Sequence, residues 1–105
     1  MTFTLYHNKN CSKSRACLEI LNKHKIDFQV REYIKHPLTL QEVGDIIENL
    51  SGNKNDLLRK SEKDIDSKDL ANFIFDNQKK LQRPIFFNGK KYIICRPPEK
   101  VLDCI

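Results

Sequence analysis

Thr2-Phe3-Thr4-Leu5-Tyr6, followed by His7-Asn8-Lys9-Asn10-Cys11-Ser12-Lys13-Ser14-Arg15, is the stretch whose reading decides the fold. The first five residues are an apolar run suited to a buried strand over 2–7. From Ser12 to His24 the pattern turns helical, with Cys17, Ile20 and Leu21 on one face. Cys11 therefore stands at a strand-to-helix junction. There the first N–H groups of the helix have no intrahelical partner and the macrodipole favours negative charge, so a thiol tends toward thiolate, its reactive form. Lys9, Lys13 and Arg15 add cationic charge, and Ser12 and Ser14 add hydroxyls. Such a set suits a small oxyanion beside the sulfur. The same residues also fit a helix-capping Cys on an ordinary basic surface.

Working outward, Phe28 to Tyr33 alternates apolar and polar side chains and reads as a second strand. Strand, helix and strand in this compass make a right-handed βαβ unit with parallel strands. That topology puts the Cys11 loop at the carboxyl end of the first strand, where open α/β sheets place their ligands. Thr39-Leu40-Gln41-Glu42 is a capping box, and Val43, Ile46, Ile47 and Leu50 follow at helical spacing until Ser51-Gly52-Asn53 ends the helix. A short turn around Asp56 to Lys60 leads into a further helix, with Leu70, Phe73 and Ile74 facing inward, that reaches Leu81. Pro84 to Phe87 and Lys90 to Ile94 flank Asn88-Gly89, a signal for a two-residue hairpin. Pro97-Pro98 suits the first turn of a last helix with Val101, Leu102 and Ile105 packed inward. The order is β-α-β, then helices, then β-β-α, with neither linker nor repeat. We expect one α/β domain over residues 1–105, thioredoxin-like, with a mixed four-stranded sheet and a helical insertion at about 38–81.

The chain's 105 residues suffice for one hydrophobic core. No cationic leader precedes an apolar segment, and no apolar run approaches membrane-spanning length, so the expected location is the cytoplasm and no membrane partner is expected. The net charge of +5 suits an anionic partner. The lysines, however, are scattered at element ends and turns without interleaved aromatics, a pattern of solvated surface rather than of a nucleic-acid stripe. Cysteines 11, 17, 95 and 104 lack the paired spacing of a zinc site or of a compact disulfide framework, and in a reducing compartment they are free thiols. Cys17, six residues along the same helix, stands about 9 Å higher and on another face, beyond disulfide reach of Cys11. Cys95 ends an apolar strand and reads as core. Three dispersed His without a carboxylate cluster give no metal site.

His7-Asn8-x-x-Cys11-Ser12-Lys13-Ser14-Arg15 resembles the catalytic loop of the glutaredoxin-coupled arsenate reductases, in the branch that reads Cys-Ser-Lys-Ser-Arg. The resemblance continues, in the family's order, through Leu57-Leu58-Arg59-Lys60, Arg83-Pro84-Ile85 and Cys95-Arg96-Pro97-Pro98-Glu99-x-Val101-Leu102. It implies a thioredoxin-like fold, Cys11 as the nucleophile, and Arg59, Arg83 and Arg96 as the arginines that bind and polarise the oxyanion. Ser14 and Arg15 join them as oxyanion-binding residues, and His7, Ser12, Lys13 and Pro84 support the loop. Guanidinium groups suit a tetrahedral dianion because each offers a planar, permanently charged fork of donors. Pro84 occupies the place where thioredoxin-like folds usually hold a cis proline. Two departures stand out: Lys9 replaces the usual Pro, and the segment after Lys60 lacks the family's longer connection, which bears on Arg59.

The activity so implied is reduction of arsenate to arsenite through the Cys11 thiolate. No bound cofactor is expected; glutathione serves as co-substrate and glutaredoxin as partner. Ser14 stands where a CxxC pair would have its second Cys, so the reducing thiol comes from outside. Two other readings share the fold. One is an Spx-like regulator that binds RNA polymerase, which normally carries a CxxC switch here. The other is a general glutathione-dependent thiol oxidoreductase, whose cradle would hold the glutathione carboxylates.

Overall fold

The computed structural model describes residues 3–58 and 69–105. Its elements are β1 (Phe3–His7), α1 (Ser12–Lys23), β2 (Phe28–Glu32), α2 (Leu40–Glu48), a 3-10 turn at Lys54–Leu57, α3 (Leu70–Asp76), a second 3-10 turn at Gln78–Lys80, β3 (Ile85–Phe87), β4 (Tyr92–Ile94) and a last 3-10 helix at Pro98–Cys104. The sheet order is β2-β1-β3-β4, with β1 parallel to β2 and antiparallel to β3, and β3 antiparallel to β4. This is the expected mixed α/β sheet.

Side-chain alternation on the central strands divides the core into two layers. Leu5, Phe86 and Ile93 are laterally paired and face α1 and the last 3-10 helix, where Cys17, Leu21, Cys95 and Val101 complete a buried cluster. Tyr6, Ile85 and Tyr92 face the other way, into a cluster with Tyr33, Leu38, Val43, Ile46, Leu57, Leu58, Leu70, Ile74 and Leu81. Both faces are covered, which is why the strands read as nearly continuous apolar runs.

α2 starts with the reciprocal capping box: Glu42 N–H donates to Thr39 Oγ1 at 3.1 Å, and Thr39 N–H to Glu42 Oε1 at 2.9 Å. Arg31 of β2 clamps this turn, donating to both Glu42 carboxylate oxygens (2.8 and 3.1 Å) and to the carbonyls of His36 and Pro37.

Val30, paired with Leu5 on the edge strand β2, is 46 % exposed. Three sequence expectations change. The helix expected to reach Leu81 stops at Asp76 and gives way to the 3-10 turn at Gln78–Lys80. The hairpin turn centres on Gly89-Lys90 rather than Asn88-Gly89: Phe87 pairs with Tyr92, Asn88 N–H donates to Lys91 O at 3.1 Å, and Gly89 sits at φ 98°. Positive φ at the first central position is the glycine requirement of a type II′ turn. Asn88 contributes its side chain instead, accepting from the N–H groups of Lys90 and Lys91. Finally, Leu102 and Ile105 are each 40 % exposed rather than packed inward. The last helix is 3-10, and three residues per turn put Pro98, Val101 and Cys104 on one face, where an α-helix would have brought round Leu102 and Ile105.

Candidate active site

β1 ends at His7 and α1 begins at Ser12, so a four-residue loop delivers Cys11 to the end of the strand. Asn8 organises this loop. Its carbonyl accepts from Cys11 N–H at 3.0 Å, its Oδ1 accepts from Asn10 N–H at 3.0 Å, and its own N–H donates to Ser14 Oγ at 3.1 Å. A short amide side chain closes such an Asx turn readily. The sequence motif contains Asn8 without assigning it a role; an Asn three residues before a helix N-cap is the signal that could have found it.

Cys11 is the N-cap residue of α1, extended at φ −100° and ψ 121°. Its carbonyl accepts from Arg15 N–H at 3.0 Å and starts the helix. Its thiol closes no short cap bond. The N–H groups of Ser14 and Lys13 and the guanidinium of Arg83 lie near enough to the sulfur to favour its ionised form. Partial burial opposes ionisation, but these donors and the Arg83 charge outweigh it and hold the thiol below its ordinary range. The sequence reading placed the first N–H groups of the helix beside the sulfur and added the Lys13 and Arg15 side chains; here the Ser14 and Lys13 N–H groups act with the Arg83 guanidinium instead.

Ser14 is fully buried, and its hydroxyl is taken up by His7 Nδ1 at 2.6 Å and by Asn8 N–H. It serves the sulfur through its backbone N–H, not through the hydroxyl expected to bind an oxyanion. His7 is also buried. Desolvation holds its imidazole below the ordinary range, against the opposing field of Glu32, and so toward the neutral form. Arg15 differs from expectation as well: its guanidinium donates to Lys9 O at 2.9 Å and braces the loop in place of a proline. Ser12 and Lys13 are exposed side chains at the helix start.

Arg83 reaches the site from the opposite side. It precedes Pro84, which is buried and joined to it by a cis peptide bond. Arg83 Nη1 donates to the carbonyls of Lys79 and Leu81 (2.9 and 3.3 Å), and its buried Nε has no hydrogen-bond partner among the described residues. These anchors, in the turn before β3, had no sequence signal. Arg96 precedes a second cis proline, Pro97, which the sequence reading did not anticipate. Arg96 is exposed and donates to Arg83 O at 3.1 Å, so it adjoins the Arg83 backbone rather than the sulfur. It lines a groove of about 480 Å³ with Lys100, Gln82, Asn53, Ser51 and Leu58 among others. Arg59 lies outside the described residues. Among the described residues no group of three or more His, Cys, Asp or Glu is arranged to hold a metal ion, and no helix is long and apolar enough to cross a membrane.

The model of the ArsC family matches residues 6–104. The chain belongs to the ArsC family. Among ArsC-like relatives, the arsenate reductase of Haemophilus influenzae is 30 % identical over 116 residues that cover the whole of both chains. The arsenate reductase of Neisseria meningitidis serogroup B is 32 % identical across 92 % of each chain, and the uncharacterized protein YfgD of Escherichia coli is 32 % identical across 96 % of this chain and 94 % of that one. Of solved ArsC-like structures, an arsenate reductase from Vibrio cholerae superposes with a TM-score of 0.87 at 26 % identity, covering all of this chain and 98 % of that one. A putative arsenate reductase from Yersinia pestis gives 0.82 at 29 % identity, covering 96 % and 98 %. The mixed sheet with its helices is accordingly the thioredoxin-like architecture of this family.

Proposed function

We propose that this chain reduces arsenate to arsenite, with Cys11 as nucleophile and an external thiol, glutathione drawn through glutaredoxin, as reductant. The observation that carries the reading is the place of Cys11 at the N-cap of α1, where the Ser14 and Lys13 N–H groups and the Arg83 guanidinium favour its thiolate and suit an oxyanion beside it. Relatives named arsenate reductase across their whole length support the choice of substrate. The functional unit is a single thioredoxin-like domain over 1–105 with its insertion at about 38–81, working in a reducing cytoplasm.

In this mechanism the thiolate attacks arsenic(V) and an arsenic oxygen leaves as water, giving a Cys11 S–As bond. Glutathione thiolate then attacks the Cys11 sulfur, forming an S–S bond as the S–As bond breaks, and the electron pair of that bond stays on arsenic. Arsenic falls from +5 to +3 while two sulfurs join as a disulfide, so that arsenic acid and two thiols give arsenous acid, one disulfide and one water. Arg83 neutralises charge on the oxyanion as the sulfur attacks.

A coupled assay of glutathione, glutaredoxin and glutathione reductase tests the reading. Arsenate-dependent NADPH oxidation is the expected result, abolished in Cys11→Ser. Absence of arsenate-dependent turnover, with reduction of a small mixed disulfide retained, would replace it with the general thiol-oxidoreductase reading.

A further inference from the structure

β4 runs antiparallel to β3, and β3 antiparallel to β1, so β4 and β1 end at the same edge of the sheet. Cys11 follows the end of β1, Arg96 follows the end of β4, and Arg83 precedes the start of β3 between them. The chain after α2 lies along the outer side of β4, where Ser51 N–H donates to Tyr92 O at 2.8 Å. The groove of about 480 Å³ is lined by this segment, by Ile94 of β4 and by Lys100 of the last 3-10 helix. Its volume is that of a small-molecule site.

Arg96 and Lys100 flank Pro97-Pro98 and line the groove from exposed positions. Arg96 gives Nη1 to Arg83 O at 3.1 Å, and its guanidinium carries further N–H donors. The Asp56 carboxylate shares the lining, with Gln82 and Ser51 as polar neighbours and Leu58 and Ile94 as apolar ones. Two positive charges and one negative charge thus meet there among the described residues.

We propose that this groove seats the reducing co-substrate, a short peptide thiol with two carboxylates and one ammonium group, the chemistry of glutathione. Such a ligand is the charge complement of the lining: its carboxylates suit Arg96 and Lys100, and its ammonium suits the side of Asp56. Reach separates it from the oxyanion. Neighbouring strands stand about 4.8 Å apart, and with β3 between them the ends of β4 and β1 are about 10 Å apart. An anion held in the groove by Arg96 and Lys100 is therefore too far from the Cys11 sulfur for bond formation, which needs about 3–3.5 Å. A tripeptide extends about 10 Å. It can keep its carboxylates on the two cations while its thiol meets the sulfur, passing over the Arg83 backbone to which Arg96 is tied. The choice of ligand rests on the proposed activity, in which an external thiol attacks the Cys11 sulfur; the groove only holds and aims that thiol.

S-methylglutathione, whose sulfur is blocked, probes the groove on the unsubstituted full-length chain without redox chemistry. Titration followed by amide NMR spectra should show saturable binding in the millimolar range, with the largest shifts at Ser51, Gly52, Gln82 and Lys100. Lys100→Gln, at an exposed position, should weaken binding about threefold or more, the worth of a partly exposed ion pair. Masking the ligand's carboxylates as the dimethyl ester should weaken it at least as much. Lys23→Gln, which removes the same charge at the far end of α1, should leave it unchanged. Should Lys100→Gln fail to fold, the ester and the shift map on the unsubstituted chain still decide. No saturable binding, shifts centred away from the groove, equal affinity for the ester, or equal weakening by Lys100→Gln and Lys23→Gln would each overturn the proposal. No arsenate enters this experiment, so it can fail while the coupled assay succeeds, and the reverse.

Discussion

His7 Nδ1 stands 2.6 Å from Ser14 Oγ, and both side chains are buried. The contact ties the last residue of β1 to the first turn of α1 across the Cys11 loop, and through the Ser14 N–H it bears on the sulfur. Ser14→Ala removes the common partner of His7 and of Asn8 N–H. It should cost about 1–3 kcal/mol, the usual penalty for leaving buried polar groups unsatisfied, measured by urea unfolding. A loss within a few tenths of a kcal/mol would mean that the loop is held by other contacts.

Cys11 should titrate below the free-thiol value of about 8.5, because the Ser14 and Lys13 donors and Arg83 outweigh the burial that opposes ionisation. The pH profile of its iodoacetamide alkylation gives the value directly. Arg83→Gln removes one donor and the charge, and should move that profile upward; an unmoved profile would put Arg83 out of contact with the sulfur.

Stability should depend on pH through His7. Its folded pKa lies below the 6.5 of an unperturbed imidazole, so the unfolded chain binds the proton first as pH falls. The stability is fully present above about pH 6.5 and declines as the pH drops toward the folded value. His7→Gln, which cannot titrate, should flatten the change of thermal midpoint between about pH 7.5 and the folded pKa. An equally steep decline in that variant would assign the acid sensitivity to other groups.

Arg83 and Arg96 should separate kinetically. Arg83 acts on the sulfur, so Arg83→Lys, which keeps charge but loses the fork, should lower kcat/KM for arsenate by about 10²–10³. Among the described residues Arg96 donates to the Arg83 carbonyl, and Arg96→Lys should fall by less than a tenth of that factor. Equal losses would show that both guanidinium groups meet the anion.

Phe86 is fully buried at the centre of the sheet, between Leu5 and Ile93. Phe86→Ala should destabilise by about 3–5 kcal/mol, readable as a lower denaturation midpoint at unchanged slope. A loss under about 1 kcal/mol would mean that the layer facing α1 collapses around the gap.

The local sequence determined what depends on near neighbours. Thr39 and Glu42 form a capping box because both partners lie within one turn, and Cys11 heads α1 because an apolar β run and a helical pattern meet at that residue. Tertiary structure decided what depends on distant ones. Arg15 turned to Lys9 O, and Ser14 spent its hydroxyl on His7, because the folded loop and the end of β1 bring those partners within hydrogen-bond reach. Arg83 reached Cys11 because β3 lies antiparallel beside β1, a pairing that no local pattern encodes. The last segment chose three residues per turn over 3.6, burying Pro98, Val101 and half of Cys104 while leaving Leu102 and Ile105 to solvent. Apolar content is the same on either path, so only the surface of α1 and β4 against which the segment packs could select between them.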